Sequence, residues 1–238
     1  MGKIATYVFL DAVTNKETAQ YKGELKIAEL CMIAVKRKHI ELRQEEPRTQ
    51  NKFKMCFWVY YIHDDDYSRR TGLSSINMRN ETNFNNDAFN AINSFLSCLE
   101  KPVCMIAHDG FKVHFPVLKY HFHNLKVSLP NDYLCTDSIY AFYDIMEPET
   151  KGGTKSSRSR HNKPGVKLHK NMVRETFYDE EPKESYKLCD IFSRVIKGDL
   201  TPYNAENHCQ MIMKLAIEKN DAFVAWVERN HCRFSGVP

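Results

Sequence analysis

The chain has 238 residues, 42% of them apolar and 12% aromatic, which supplies a substantial core and excludes a disordered polymer. A formal net charge of only +4 means that binding to a polyanion calls for a local basic cluster, not for the average surface. No run of 18 apolar residues occurs, so no membrane span is expected.

The N-terminal residues lack a signal-peptide layout, and eight scattered cysteines contain no CxxC pair. Both features predict reduced thiols in an intracellular protein, cytoplasmic or nuclear.

In chain order, residues 5–10 predict a strand ending at Asp11, residues 26–35 a second and residues 54–62 a third. Their closeness suggests an antiparallel meander. The third run is rich in aromatics, as expected of an edge strand covered by a partner. A turn at 68–72 leads to a helix over 86–99, with Ala88, Phe89, Ile92, Phe95 and Leu96 on one face. Residues 103–107 form an apolar run that stops at His108-Asp109-Gly110. A helix follows with Phe115-Pro116 near its start, the pattern of a buried strand, a short turn and a helix. In mixed α/β domains that junction is where ligands sit. A short strand over 132–136 and a helix over 138–146 come next.

Residues 147–183 interrupt the pattern as a basic, flexible surface loop within a single domain spanning 1–238. From Lys151 to Arg174 there is no acid, and eight basic side chains are candidate phosphate contacts: Lys151, Lys155, Arg158, Arg160, Lys163, Lys167, Lys170 and Arg174. Helices are expected over 186–196, 205–219 and 222–230. The order of strands and helices predicts an α/β, RNase H-like domain with a mixed five-stranded sheet flanked by helices.

The runs FLDAVTN, IAELCMIAVKR, RTGLSS, VCMIAHDGFKVHFPVLK, LCTDSIYAF, SYKLCDIFSRV, NAENHCQMIMKLA and AFVAWVERN occur in this order. Together they resemble the three-prime repair exonuclease (TREX) family, DnaQ-like 3′–5′ exonucleases of the DEDDh class. The resemblance implies four carboxylates that hold two Mg²⁺ ions and a histidine that acts as general base towards water. The first carboxylate is kept as Asp11. Val13 stands at the second, His114 at the third, Tyr203 at the histidine and His208 at the last. Four of the five positions are therefore replaced. Valine binds no metal, and imidazole is a poor ligand for Mg²⁺, which demands hard oxygen donors.

These replacements predict a pseudonuclease, without a two-magnesium site, that binds single-stranded DNA or RNA and does not cleave it. A homodimeric interaction module, joined through the third-strand edge at Met55, Phe57, Val59 and Tyr61, is the alternative. A residual exonuclease with an unusual metal is the third reading. Asp11, His114 and His208 form a candidate single site for zinc or another transition metal. Asp109 and Glu206 are nearby acids whose simpler roles are helix cap and first-turn acid. His121, His123 and His231 are further isolated imidazoles.

Overall fold

The computed structural model describes residues 2–16, 25–44, 47, 49–60, 62, 65–147, 184–198 and 203–237. The basic stretch from Lys151 to Arg174, and with it Lys155, Arg158, Arg160, Lys163, Lys167 and Lys170, lies outside the described residues, as does Tyr61.

Strands β1 (Thr6–Thr14) and β2 (Ile27–Lys36) are buried along almost their whole length. Both faces are covered, which is why they read as continuous apolar runs instead of alternating ones. β2 leads into a short helix α1 (Arg37–Glu41) and then to β3 (Asn51–Cys56). β4 (Val103–Ala107) and β5 (Leu134–Asp137) are wholly buried, and β6 (Cys232–Arg233) closes the sheet. The strand order is β3-β2-β1-β4-β5-β6. β1/β2, β2/β3 and β5/β6 pair antiparallel, while β1/β4 and β4/β5 pair parallel. The meander and the mixed sheet stand as the sequence implied.

Among the described residues the sheet has six strands where five were expected. β6 is two residues long and carries no periodicity; only its ladder to β5 defines it. β1 runs four residues further than the apolar pattern suggested, through Asp11 and Val13 to Thr14. The third strand begins earlier and stops sooner than residues 54–62. An edge strand needs only backbone pairing, so polar Asn51 and Lys52 join β2 at Ala34 and Ile33. Beyond Cys56 the chain turns inward: Phe57 and Val59 are buried, and the Phe57 ring lies 4.8 Å from that of Phe84. Of the four residues assigned to a dimer edge, Phe57 and Val59 are therefore spent on the chain's own core. Met55 is half-buried on β3, and Trp58 and Tyr60 are the exposed aromatics of this segment.

Helices α2 (Asp65–Thr71), α3 (Asn86–Ser97), α4 (Phe115–Asn124), α5 (Ser138–Met146), α6 (Leu188–Val195) and α7 (Ala205–Arg229) complete the fold. α3 is capped by the Asn85 side chain and buries Ala88, Phe89, Ile92 and Leu96, the face its spacing gave. α2 was read only as a turn, because its seven residues carry no apolar stripe. α7 merges the two helices expected after residue 205. The break between them survives as a kink at Asn220, whose φ of 42° and ψ of −117° are not helical.

What positions the site is a mismatch of strand lengths. β4 pairs β1 only over Thr6–Phe9, so β1 beyond Phe9 is paired to β2 alone and leaves one edge open above the end of β4. After β4 the chain makes a π-helical turn, Gly110–His114, straight into α4. A side chain at Gly110 would start 2.6 Å from the Phe115 ring, so glycine is what lets the turn fold back against α4. Asp137, at the end of β5, fixes the turn: its Oδ2 accepts the Phe111 N–H at 3.0 Å and its Oδ1 the Ile139 N–H at 3.1 Å. His114 is thereby delivered into the open edge of β1.

Candidate active-site remnant

Asp11 is 3% exposed, on the part of β1 that outruns β4. Two imidazoles close on it from different elements. His114 Nε2, at the end of the π turn, lies 3.3 Å from Oδ1, and His208 Nδ1, in the first turn of α7, lies 3.2 Å from Oδ2. Val13, two residues along β1, presents hydrocarbon on the same face of the strand.

The backbone fixes the proton on His114. The Ala12 N–H, which β4 is too short to reach, donates to its Nδ1 at 3.3 Å. The ring proton then sits on Nε2 and is given to Asp11. For His208, burial opposes a charged ring. The negative charge of Asp11, the hydrogen bond to it and the neighbouring Cys189 thiol outweigh that opposition and raise its pKa to about 10. The Tyr203 N–H points at Nε2 of the same ring at 3.2 Å, a contact only a neutral imidazole accepts. Magnitude decides between the two. The Nδ1–H bond to the Asp11 carboxylate is kept whether the ring is neutral or charged, so what favours the imidazolium is the added charge attraction to Asp11, against one amide bond of about 1 kcal/mol from an exposed residue that water replaces. The charge of Asp11 thus favours the imidazolium of His208. Asp11 is subject to burial, which raises its pKa, but His114, His208 and His108 together bring it below the usual carboxylate value.

The five positions therefore come together in part. Asp11, His114 and His208 form one hydrogen-bonded set, and Tyr203 touches it through its backbone. The Tyr203 side chain turns outward, 39% exposed, with the Arg70 guanidinium 5.1 Å over its ring. Its φ is positive, 73°, an uncommon conformation for a non-glycine residue. The nearby acids serve elsewhere. Glu206 pairs with Lys52 at 3.0 Å and Lys54 at 3.6 Å, which lowers its pKa, and it lies in the first turn of α7. Asp109 occupies a left-handed position before the π turn and makes no side-chain cap. Among the described residues, no group of three His, Cys, Asp or Glu side chains is arranged to hold a metal ion. The set named from sequence as a candidate zinc site comes together as a carboxylate whose two oxygens each face an imidazole nitrogen.

His123 is exposed, while three further histidines, His121, His231 and His108, bond within the fold. His121 is buried, accepts the Ile27 N–H on Nε2 at 3.2 Å, and is pushed down to about 4 by burial and Lys26. His231 Nδ1 lies 2.9 Å from the Val227 carbonyl near the end of α7. His108 spans Ser138 Oγ and the Tyr186 carbonyl at 3.0 and 2.9 Å, and burial likewise lowers it to about 4.

Sequence reasoning missed Glu29. It is buried in β2, and its Oε1 accepts the Ala205 N–H at 2.8 Å while Oε2 meets Lys54 at 3.4 Å. It thus docks the start of the helix that carries His208. A single acid inside an otherwise apolar strand was the available signal.

A titration separates these imidazoles. By NMR, His208 is expected to titrate near 10 while His108 and His121 stay neutral down to about 4. Because the folded pKa of His208 is raised, its contribution to stability is full below the unfolded value of 6.5 and is lost as pH rises through about 10. The difference in urea midpoint between wild type and His208→Gln should shrink over that range; a constant difference contradicts the ion pair.

No family model matches the chain. In sequence it is 24% identical over 233 residues to Three prime repair exonuclease 2 of Mus musculus, covering 94% of this chain and 87% of that protein. It is 26% identical over 251 residues to Three-prime repair exonuclease 1 of Bos taurus, covering 99% of this chain and 70% of that one. The chain is a homologue of the three-prime repair exonucleases. Among solved structures, this TREX homologue superposes on the zinc-bound complex of E. coli exonuclease I with single-stranded DNA, with a TM-score of 0.54 and 14% identity. The match covers 91% of this chain but 41% of the other, so most of exonuclease I has no counterpart here. The fold of the TREX homologue is that of the RNase H-like, DnaQ-type exonucleases.

Proposed function

We propose that this chain is a nuclease-derived domain that holds single-stranded nucleic acid and does not hydrolyse it. The observation that carries the reading is the pair of imidazoles on Asp11. Two Mg²⁺ ions need several free carboxylate oxygens in near-octahedral sets. Here one carboxylate remains, each of its oxygens faces a ring nitrogen, and Val13 adds hydrocarbon. The residues present do not fit a magnesium pair. Nor do they favour a single transition metal, since the Ala12 N–H occupies the lone pair of His114 Nδ1 and leaves Nε2 protonated.

Binding is supported by the TREX resemblance, by the exonuclease I complex with single-stranded DNA, and by the acid-free basic stretch over 151–174. The test uses oligonucleotides labelled at the 5′ end, incubated with Mg²⁺ or Mn²⁺, beside a binding titration across a salt series. The expected result is no shortening, and binding whose log K falls with log salt by about 0.7 per phosphate neutralised. Replacing the basic residues of 151–174 by serine should flatten that slope. Shortening by wild type that Asp11→Ala abolishes overturns the reading in favour of an enzyme.

A homodimer is a second reading, favoured by the position of β3 at the end of the sheet, where it pairs β2 alone. Edge-to-edge pairing of two β3 strands would remove an open row of backbone donors and acceptors. Light scattering that gives a monomer mass at micromolar concentration removes it. No helix among the described residues is long and apolar enough to cross a membrane.

A further inference from the structure

All eight cysteines are free, but two of them face each other. Cys135 of β5 and Cys232 of β6 are register partners, and their Sγ atoms are 3.6 Å apart. Directly opposed antiparallel residues have Cα separations of about 4.5–5.5 Å, within the range a disulfide spans. We propose that Cys135 and Cys232 form a reversible cross-strand disulfide that staples the last strand and the segment after it to the sheet.

Three features single out this pair. The first is access. Cys232 is half-buried and reachable, whereas Cys31 and Cys209, the other close pair, are both fully buried. The second is charge. Burial and the neighbouring thiols hold the Cys135 thiol well above its ordinary value, and the half-buried Lys119 ammonium, near enough to both sulfurs to act on them electrostatically, offsets part of that rise. The third is consequence. β6 is held by only two ladder residues, and the segment after it by Phe234 and Lys119. The Phe234 ring meets Phe115 at 6.0 Å and Phe122 at 6.5 Å, and Lys119 Nζ donates to the carbonyls of Ser235 and Val237. A covalent link would add to a short and otherwise weak attachment.

The co-reactant is a small disulfide such as oxidised glutathione. The Cys232 thiolate attacks one glutathione sulfur, forming a mixed disulfide and expelling one glutathione thiolate. The Cys135 thiolate then attacks Sγ of Cys232, the protein disulfide forms and the second glutathione leaves. Two electrons pass from the cysteine pair to the oxidant, and the two thiol protons end on the two molecules of reduced glutathione.

The test is to incubate the whole chain with oxidised glutathione, quench with acid and measure intact mass and non-reduced peptides. The expected product is 2 Da lighter (roughly two hydrogens), contains one linked peptide joining Cys135 to Cys232, and reverts on reduction. Amide exchange over residues 232–237 is expected to slow about tenfold in the oxidised protein. The Cys232→Ser variant should lose the linked peptide. Retention of all eight alkylatable thiols, arrest at a glutathione adduct, or a different linkage overturns the proposal, and the non-reduced peptides of wild type decide it even if the variant misfolds. None of these outcomes depends on whether the domain binds nucleic acid.

Discussion

Asp11→Ala is expected to lower stability by about 3 kcal/mol and to move the pKa of His208 from about 10 to below 6.5. Both effects have one cause. Asp11 is the carboxylate that raises the pKa of the buried His208 ring, and once it is removed burial governs. Breaking a buried pair ordinarily costs about 3–5 kcal/mol because a charge is left without a partner. Here the ring can shed its proton, which keeps the cost at the low end of that range. What remains is the loss of two hydrogen bonds and a void beside Val13. Urea unfolding gives the free energy and NMR titration the pKa. A wild-type-like midpoint, with His208 still titrating near 10, contradicts the assignment of Asp11 as the anchor of the pocket. In a metal-binding exonuclease the same substitution acts differently. There it removes activity and relieves repulsion between carboxylates, so the sign of the stability change distinguishes an imidazole clamp from a metal cradle.

The second large effect is a gain. A chain carrying Val13→Glu, His114→Asp, Tyr203→His and His208→Asp together regains the residue types that the TREX resemblance assigns to those positions. Without metal it should be less stable than wild type, because four carboxylates would crowd one cleft from which the His114 and His208 rings are gone. With Mg²⁺ at a hundred times its dissociation constant it should recover about 2.7 kcal/mol by linkage, while wild type responds only as it does to matched ionic strength. Thermal unfolding across a MgCl₂ series, with NaCl of equal ionic strength as control, measures both. An equal magnesium response in wild type would show that the pocket still gathers the ion, and the reading of a lost metal site would fail.

Much of this molecule could be read from its residues, for physical reasons that differ between elements. α3 was legible because its apolar positions recur with the helical period and Asn85 caps it. β1, β2 and β4 were legible as apolar runs, since strands covered on both faces need no alternation. β3 was misplaced because its apolar extension, with Phe57 and Val59, looks like strand while it packs as core. β6 was not visible at all, since two residues cannot show a period.

The sequence alone determined which atoms the pocket can offer: one carboxylate, one hydrocarbon, two imidazoles and a phenol at the five positions. What those atoms do to one another follows from how the elements pack. β4 ends early, the π turn swings His114 to the Ala12 amide, and α7 brings His208 to the far oxygen of Asp11 from nearly two hundred residues away. Hydrogen bonds act over about 3 Å, and distances on that scale between groups so remote along the chain are set by packing and not by local residue pattern.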